Sequence, residues 1–220
     1  MTENQAREEI CRVGRSLFER GYVHATAGNI SVRLDDGFLI TPTDACLGFL
    51  DPAALAKVDR QGRQVGGATA SKTLVLHRRI YDAHGPLGAA PRCVIHSHST
   101  HCVALTLSDP AGELLPPITP YFVMKVGHVP VVPYRRPGAP EVADLVAELI
   151  ARYAQAGTPL RAVMLTRLGP NVWHDSPGQA MAVLEELEET ARLWVVAGVK
   201  PEPLTGAALS ELREAFGARW

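Results

Sequence analysis

Apolar residues recur with helical spacing in several stretches of this chain. In residues 5–20, Ile10, Val13 and Leu17 lie three or four positions apart, which places them on one side of a helix that ends at Gly21. The same spacing predicts further helices over 71–84, 140–156 and 176–198, a helical segment after 99 that runs to Leu107, a short helical turn at 52–57 and a short helix in the C-terminal tail.

Shorter runs rich in β-branched residues predict strands between these helices. The predicted strands cover 29–34, 37–43, 93–99, 128–134 and 162–169, with 171–175 as a candidate partner of the last, a strand and turn over 57–67 and a loop over 110–120. Because helices and strands alternate, we predict an α/β fold with three layers, α/β/α, in a single domain that spans residues 1–220 and ends in a helical tail.

Composition and charge exclude several classes of function. The chain has 220 residues, 46% hydrophobic and 20% charged, with a net charge of −1. No run of five like charges is present, so neither a nucleic-acid partner nor a membrane surface is expected. The four cysteines are scattered, which suits a reducing compartment. Since we see no signal peptide and no apolar stretch of membrane-spanning length, we expect a cytoplasmic protein.

The stretch "VIHSHSTHCVAL" carries the strongest chemical signal. His96 and His98 are two positions apart on a predicted strand, so both side chains point to one face of the sheet. Two neutral imidazoles placed in this way can bind one transition metal, although stable zinc sites usually have three or four protein ligands. The alternative is a pair of histidines that are hydrogen-bonded at a strand end. His101 is interpreted as a packing or capping residue at a helix start.

Four further candidates are weak when each is considered alone. Gly28 and Asn29 suggest a turn with a projecting amide, and Thr43 lies near another turn. Ser71 and Lys72 occupy a predicted helix start, where an anion can bind, but an N-cap serine beside a solvated lysine explains them as well.

The next candidate, Tyr121, could donate a proton. Its position in an apolar segment favours instead a core aromatic residue whose hydroxyl is hydrogen-bonded.

Taken together and in order, these segments resemble the class II aldolase/adducin family over about residues 5–198. The resemblance rests on "GNISVR", "ITPT", "SKTLVLHRRIY", "VIHSHSTHCVAL", "TPYFVMKVG", "YRRPG" and "VMLTRLGP". The "GFLDPAAL" segment and the tail are most similar to the branch of 3-oxo-tetronate 4-phosphate decarboxylases. The resemblance implies a mostly antiparallel nine-stranded sheet and a homotetramer with active sites between subunits. It also implies a divalent metal, often zinc, held by three histidines.

The resemblance also implies roles for individual residues. By position, His96 and His98 match two of the metal ligands, and Tyr121 matches a proton donor. The positions at which the family binds the substrate phosphate match Asn29, Thr43 and Ser71, and the adjacent Asp44 and Lys72 are further substrate-binding candidates. Arg167 is a further substrate-binding candidate, since a guanidinium group can bind a carboxylate with two hydrogen bonds.

Three positions depart from the family pattern. Leu168 replaces the third metal-binding histidine, and Thr73 occupies the catalytic position of an acid/base glutamate, four residues before His77. Asp44 replaces a glycine of the phosphate loop and adds a negative charge there. Loss of a general base typically costs about 10²–10⁴ in rate. His174, His101 or a histidine from a neighbouring subunit are the candidates for the missing ligand.

These observations predict a metal-dependent lyase that acts on carbon–carbon bonds. The reaction would be decarboxylation or retro-aldol cleavage of a small oxo or hydroxy acid or a sugar phosphate, through an enolate, with a non-phosphorylated substrate as a further option. Decarboxylation tolerates Thr73 most easily, because the loss of CO₂ generates the enolate without removal of a C–H proton. The alternative is a catalytically inactive scaffold or binding module, similar to an adducin head domain.

Overall fold

A mixed β-sheet forms the centre of the protein, seen in a computed structural model that describes residues 1–88, 90–108 and 112–220. Its strand order is β4-β3-β2-β1-β5-β8-β7-β6, and every neighbouring pair is antiparallel except β6 and β7. The strands are β1 (Asn29–Leu34), β2 (Gly37–Ile40), β3 (Ala56–Asp59), β4 (Gln64–Gly66), β5 (Cys93–His96), β6 (Val131–Val132), β7 (Ala162–Leu165) and β8 (Gly169–His174).

Helices cover both faces of this sheet. The α-helices are α1 (Glu3–Glu19), α2 (Leu74–His84), α3 (Thr100–Leu105), α4 (Glu141–Gln155), α5 (Pro177–Val196) and α6 (Gly206–Phe216). Short 3₁₀ turns cover Leu47–Phe49, Pro52–Ala54 and Gly85–Leu87, and a π-helical turn covers Phe122–Val126. The described part of the chain contains no helix long and apolar enough to cross a lipid bilayer.

The sheet separates two apolar clusters, as the alternation of strand side chains requires. On one face, Ile30 and Ile95 pack with residues of α1 and α5. On the other face, Val94 and Trp173 pack with residues of α2 and α4. The predicted three-layer α/β/α architecture is therefore confirmed, with eight strands in the described residues where the resemblance implied nine.

Several predicted boundaries were wrong for local reasons. The helix predicted from residue 71 begins only at Leu74, because residues 71–73 form a turn in which the Leu74 amide donates to the Ser71 carbonyl. The strand predicted over 93–99 ends at His96. The strand predicted over 162–169 ends at Leu165, before a tight turn at 166–168, whereas its predicted partner over 171–175 is confirmed as the antiparallel strand β8. The π-helical turn at 122–126 was not predicted. Pro110 and Ala111 of the predicted loop over 110–120 lie outside the described residues.

One edge of the sheet gathers most of the candidate site residues. The strands β1 and β8 begin at this edge, and β2, β5 and β7 end there. The loops at 22–28, 41–46, 97–99 and 166–168 therefore meet around the ends of the central strands. The start of α2 lies beside them, because the Ser71 amide donates to the Thr41 carbonyl at 3.3 Å.

Candidate active site

His96 and His98 face each other at the end of β5. Their ring centroids are 5.0 Å apart and the rings are inclined by 67°. Two imidazoles bound to one tetrahedral zinc through Zn–N bonds of about 2 Å would place their centroids about 5 Å apart. The two rings therefore already have the separation that a shared metal requires. The prediction that both lie on one strand was wrong, because β5 ends at His96 and His98 lies in the loop that follows it.

The hydrogen bonds of His96 leave one ring nitrogen free to bind a ligand. Its Nδ1 lies 3.1 Å from the Pro170 carbonyl, which can only accept, so Nδ1 carries the proton and Nε2 keeps its lone pair. Burial, with a smaller contribution from the neighbouring His98, lowers the pKa of His96 to about 4. Burial and the nearby His24 lower the pKa of His98. Both rings are therefore neutral near pH 7, as metal ligands must be.

A row of buried polar side chains crosses three strands at His96. Asn29 on β1 is directly opposite His96, and His96 is directly opposite Asn171 on β8. Residues paired in this way lie on the same face of a sheet. Asn29 is 6% exposed and Asn171 is fully buried, yet the Asn29 Oδ1 atom and both amide atoms of Asn171 have no hydrogen-bond partner in the described residues.

His77 on α2 adds a further unpaired atom to this region. Its Nδ1 shares a 2.8 Å hydrogen bond with the Ser31 hydroxyl, whereas its fully buried Nε2 has no partner in the described residues. Burial lowers the pKa of His77 to about 3, with a smaller contribution from His96. Unpaired buried polar atoms are costly and rare. Their concentration around His96 indicates a site that is arranged for a polar ligand.

The loops predicted to bind an anion lie next to each other. The Thr43 amide donates to the Thr69 carbonyl at 2.9 Å, which joins the loop after β2 to the segment before α2. Asp44 has a φ of 54°, in the left-handed region where glycine is the usual residue. Thr43, Asp44 and Lys72 are exposed. Ser71 and Lys72 also border a cavity of about 480 Å³ between α2 and α4.

Thr73, which the resemblance placed at the acid/base position, lies at the start of α2. Its hydroxyl is 2.9 Å from the Ser71 hydroxyl, and its carbonyl accepts from the His77 amide. It is the N-cap residue of α2 but makes no side-chain capping bond. A threonine hydroxyl does not titrate near neutral pH, so this position supplies a hydrogen bond and no general base.

The turn between β7 and β8 has a tight backbone and carries Leu168, which cannot bind a metal. Gly169 has a φ of 130°, and a Cβ atom there would lie 1.9 Å from the Ser97 carbonyl oxygen, so only glycine fits. Leu168 packs against the apolar cluster on the α2 and α4 side of the sheet. The Arg167 amide donates to the Thr106 hydroxyl, and its guanidinium donates to the Leu107 carbonyl at 3.0 Å.

The interpretation of Tyr121 as a core residue was wrong. Its side chain is 60% exposed, and it immediately precedes the π-helical turn. The apolar pattern around it was misleading because the turn buries Phe122, Val123 and Val126 while Tyr121 points outward. Exposure leaves the hydroxyl available to another molecule or subunit.

Two of the proposed replacement ligands are placed elsewhere by the fold. The His101 Nδ1 lies 2.8 Å from a carboxylate oxygen of the buried Glu188, which agrees with the predicted packing role. His174 pairs with Cys93, at the opposite end of β5 from His96. The histidine that does lie near the pair is His24, whose ring centroid is 6.4 Å from that of His98.

Sequence reasoning did not find His24 or Asn171. His24 lies in the loop before β1, and only the folded chain brings it to the end of β5. Asn171 could have been found as the one amide within the otherwise apolar run of β8, on the same face as Trp173. Within the described ranges, no group of three or more His, Cys, Asp or Glu side chains is yet arranged as a complete metal site.

Comparisons with known proteins identify the family to which this chain belongs. The chain matches the family described as Class II Aldolase and Adducin N-terminal domain over residues 8–195. It is 55% identical over 226 residues to the 3-oxo-tetronate 4-phosphate decarboxylase of Cupriavidus necator, covering 100% of this chain and 99% of that protein. The protein of the same name from Escherichia coli is 41% identical, with 96% of each chain covered.

Solved structures place the same fold over nearly the whole chain. The YgbL structure from Klebsiella pneumoniae superimposes with a TM-score of 0.86 at 40% identity, covering 97% of this chain and 100% of that one. A structure of L-fuculose 1-phosphate aldolase has a TM-score of 0.79 at 22% identity, covers 97% of this chain and 96% of that one, and bears on the fold alone. This chain therefore belongs to the class II aldolase and adducin family.

Proposed function

We propose that this protein is a carbon–carbon lyase that decarboxylates a phosphorylated 3-oxo acid of the 3-oxo-tetronate 4-phosphate type. The observation that carries the proposal is the full-length similarity, at 55% identity, to a protein of that name. The paired rings of His96 and His98 and the unpaired amides beside them support a polar reaction centre at the same place.

Decarboxylation of a 3-oxo acid is compatible with a site that has Thr73 in place of a general base. The bond between C2 and the carboxylate breaks, its electron pair moves towards the C3 ketone to give an enolate, and CO₂ leaves. The enolate carbon then takes up one proton. No C–H proton has to be removed, so a general base is not required at Thr73. A decarboxylase therefore accommodates the loss of the family's glutamate more readily than an aldolase does.

The residues around the pair divide into three roles. His96 and His98 would hold a divalent metal, for which zinc suits the nitrogen donors, and the metal would stabilise negative charge on the ketone oxygen. Asn29, Thr43 and Ser71 would bind the substrate phosphate through the adjacent loops. Arg167 would pair with the carboxylate of the substrate. Within the described residues its guanidinium donates one hydrogen bond, to the Leu107 carbonyl, so its other N–H groups can bind a ligand.

Two exposed side chains complete the proposed site. Lys72 would offset the charge of the phosphate and of Asp44. Tyr121 would deliver the proton to the active site of a neighbouring subunit in a homotetramer, because its hydroxyl is exposed on its own subunit. Light scattering coupled to size-exclusion chromatography would measure the assembly. A monomer at assay concentration would contradict this role of Tyr121.

The test is CO₂ release from 3-oxo-tetronate 4-phosphate that is generated freshly in the assay. We expect metal-dependent turnover by the wild-type protein and a loss of at least about 100-fold in His96→Ala. His174→Ala is the matched control, because His174 lies at the far end of the same pair of strands. Undiminished turnover in His96→Ala would refute the proposed site. The absence of turnover in a metal-loaded wild-type protein would favour the scaffold alternative.

A further inference from the structure

The family's third metal-binding position is apolar in this chain, while an additional histidine lies beside the remaining pair. Leu168 cannot bind a metal, and it packs into an apolar cluster. His24 lies near His98, in the loop that precedes β1. Its ring is inclined by 75° to that of His98, with 6.4 Å between the centroids.

This separation is close to the value for shared coordination. Three imidazoles on one zinc would have centroids about 5 Å apart. The His96–His98 pair already meets that distance, and the His24 ring would need to approach His98 by about 1.4 Å. His24 is exposed, and its ring makes no hydrogen bond within the described residues. Exposed side chains change rotamer within nanoseconds, so the His24 ring can reorient towards a metal without disturbing the packed core.

The loop that carries His24 is fixed against the end of β5. Gly28 has a φ of 84°, and a Cβ atom there would lie 2.9 Å from the His96 carbonyl oxygen. The Ala27 amide donates to the His24 carbonyl at 2.9 Å, which closes a turn within the loop. The backbone of His24 is therefore held near the pair while its side chain remains free to move.

A second observation indicates that a ligand belongs at this place. The buried amides of Asn29 and Asn171 flank His96 across the sheet, and three of their polar atoms have no partner in the described residues. A metal with its bound water or substrate would supply partners for such atoms. A purely structural histidine cluster would leave them unexplained.

We propose that His24 is the third protein ligand of a divalent metal held by His96 and His98, and that it replaces the ligand lost at Leu168. The inference deepens the proposed function, because it completes the metal site that the decarboxylation would use. It concerns metal binding alone, so it can be tested without the substrate.

The experiment measures zinc affinity by competition with a chromophoric chelator, together with the visible absorption of the cobalt(II) form. The metal-free protein is compared with His24→Ala, Leu168→His, the double variant and His174→Ala as a control. Loss of a second-shell partner alone typically costs 10–100-fold in affinity, so we expect at least about a 100-fold loss in His24→Ala. Leu168→His in that background should restore the affinity and the tetrahedral cobalt spectrum.

Two results would overturn the proposal. One is zinc affinity in His24→Ala equal to that of the wild type, and the other is a wild-type protein that binds no zinc. Circular dichroism of each variant checks that the fold is intact. Because His24 is exposed, we expect His24→Ala to leave the fold unchanged. If the wild-type protein binds zinc through His24 but releases no CO₂, the inference about His24 stands and the proposed reaction is refuted.

Discussion

Two histidines five residues apart, His96 and His101, lie in contrasting polar environments. Around His101 the recorded polar contacts all involve Glu188: one oxygen of Glu188 accepts from the His101 amide at 3.0 Å and lies 2.8 Å from the His101 Nδ1 atom. The other oxygen accepts from the Cys102 amide at 3.0 Å. Around His96, the amides of Asn29 and Asn171 are buried and lack partners in the described residues.

The difference separates a structural use of buried polar groups from a functional one. The carboxylate of Glu188 joins the start of α3 to α5, and a fully paired network of this kind stabilises the fold. The unpaired atoms near His96 reduce stability, and proteins keep such strain mainly where function needs it. Substitutions in the two regions should therefore have opposite effects on stability.

The largest effect is expected at Glu188. Glu188→Ala would leave the amides of His101 and Cys102 without an acceptor in a buried place, so we expect a loss of about 3 kcal/mol in the free energy of unfolding. Urea denaturation followed by circular dichroism measures it. Glu185→Ala, on the same helix but more exposed, is the control. A loss below about 1 kcal/mol would mean that the carboxylate does not support the start of α3.

An opposite and smaller effect is expected at Asn171. Asn171→Leu replaces two unpaired buried polar atoms with an apolar group of similar size, so the metal-free protein should gain about 1 kcal/mol in stability. The same variant should lose turnover, because the amide faces the reaction centre. Thermal unfolding and the CO₂ assay are measured together. If Asn171→Leu is destabilised, the amide must have a partner in the folded protein, and the contrast with Glu188 fails.

The pH dependence of stability provides a third comparison. The pKa of His77 is about 3 in the folded protein, below its value of about 6.5 in an unfolded chain. The unfolded state therefore binds an additional proton between these values, and stability is lost as the pH falls from about 6.5 towards 3.

His77→Asn should remove one proton from this linkage and preserve the bond to Ser31. The slope of unfolding free energy against pH should fall by up to about 1.4 kcal/mol per pH unit in the metal-free protein. Denaturation curves recorded at about pH 4, 5 and 6 would measure this slope. An unchanged slope would mean that His77 is already protonated in the folded state.

The smallest effect is expected at Thr73. Thr73→Glu returns a carboxylate to the family's acid/base position, yet decarboxylation should change by less than about threefold, far below the 10²–10⁴ that a required base supplies. Thr73→Gln, which is uncharged and of equal size, controls for steric effects. A rate increase of 100-fold in Thr73→Glu alone would show that the reaction depends on a base.

The sequence was sufficient to predict the layers of the fold and the proximity of His96 and His98. Residue spacing located α1, α4 and α5 within a few positions, because each helix buries one continuous apolar face. The HxH spacing keeps His96 and His98 close together, even though β5 ends at His96 and His98 lies in the loop that follows it. Both features depend on the spacing of residues that are close in sequence, and this spacing can be read directly from the sequence.

Other features depend on contacts that the sequence does not display. The approach of His24 to His98 comes from the close contact of Gly28 with the backbone of His96, across more than sixty positions of the chain. The exposure of Tyr121 comes from a π-helical turn, whose apolar residues gave a core-like pattern. Such arrangements are set by tertiary packing and not by local propensity.

The glycine-only turn at Gly169 has a consequence for the engineering of this chain. The backbone next to residue 168 is held against Ser97 by Gly169 and not by the side chain of Leu168, so Leu168→His would change a side chain and leave its support intact. A metal ligand could therefore be introduced at this position without remodelling the loop.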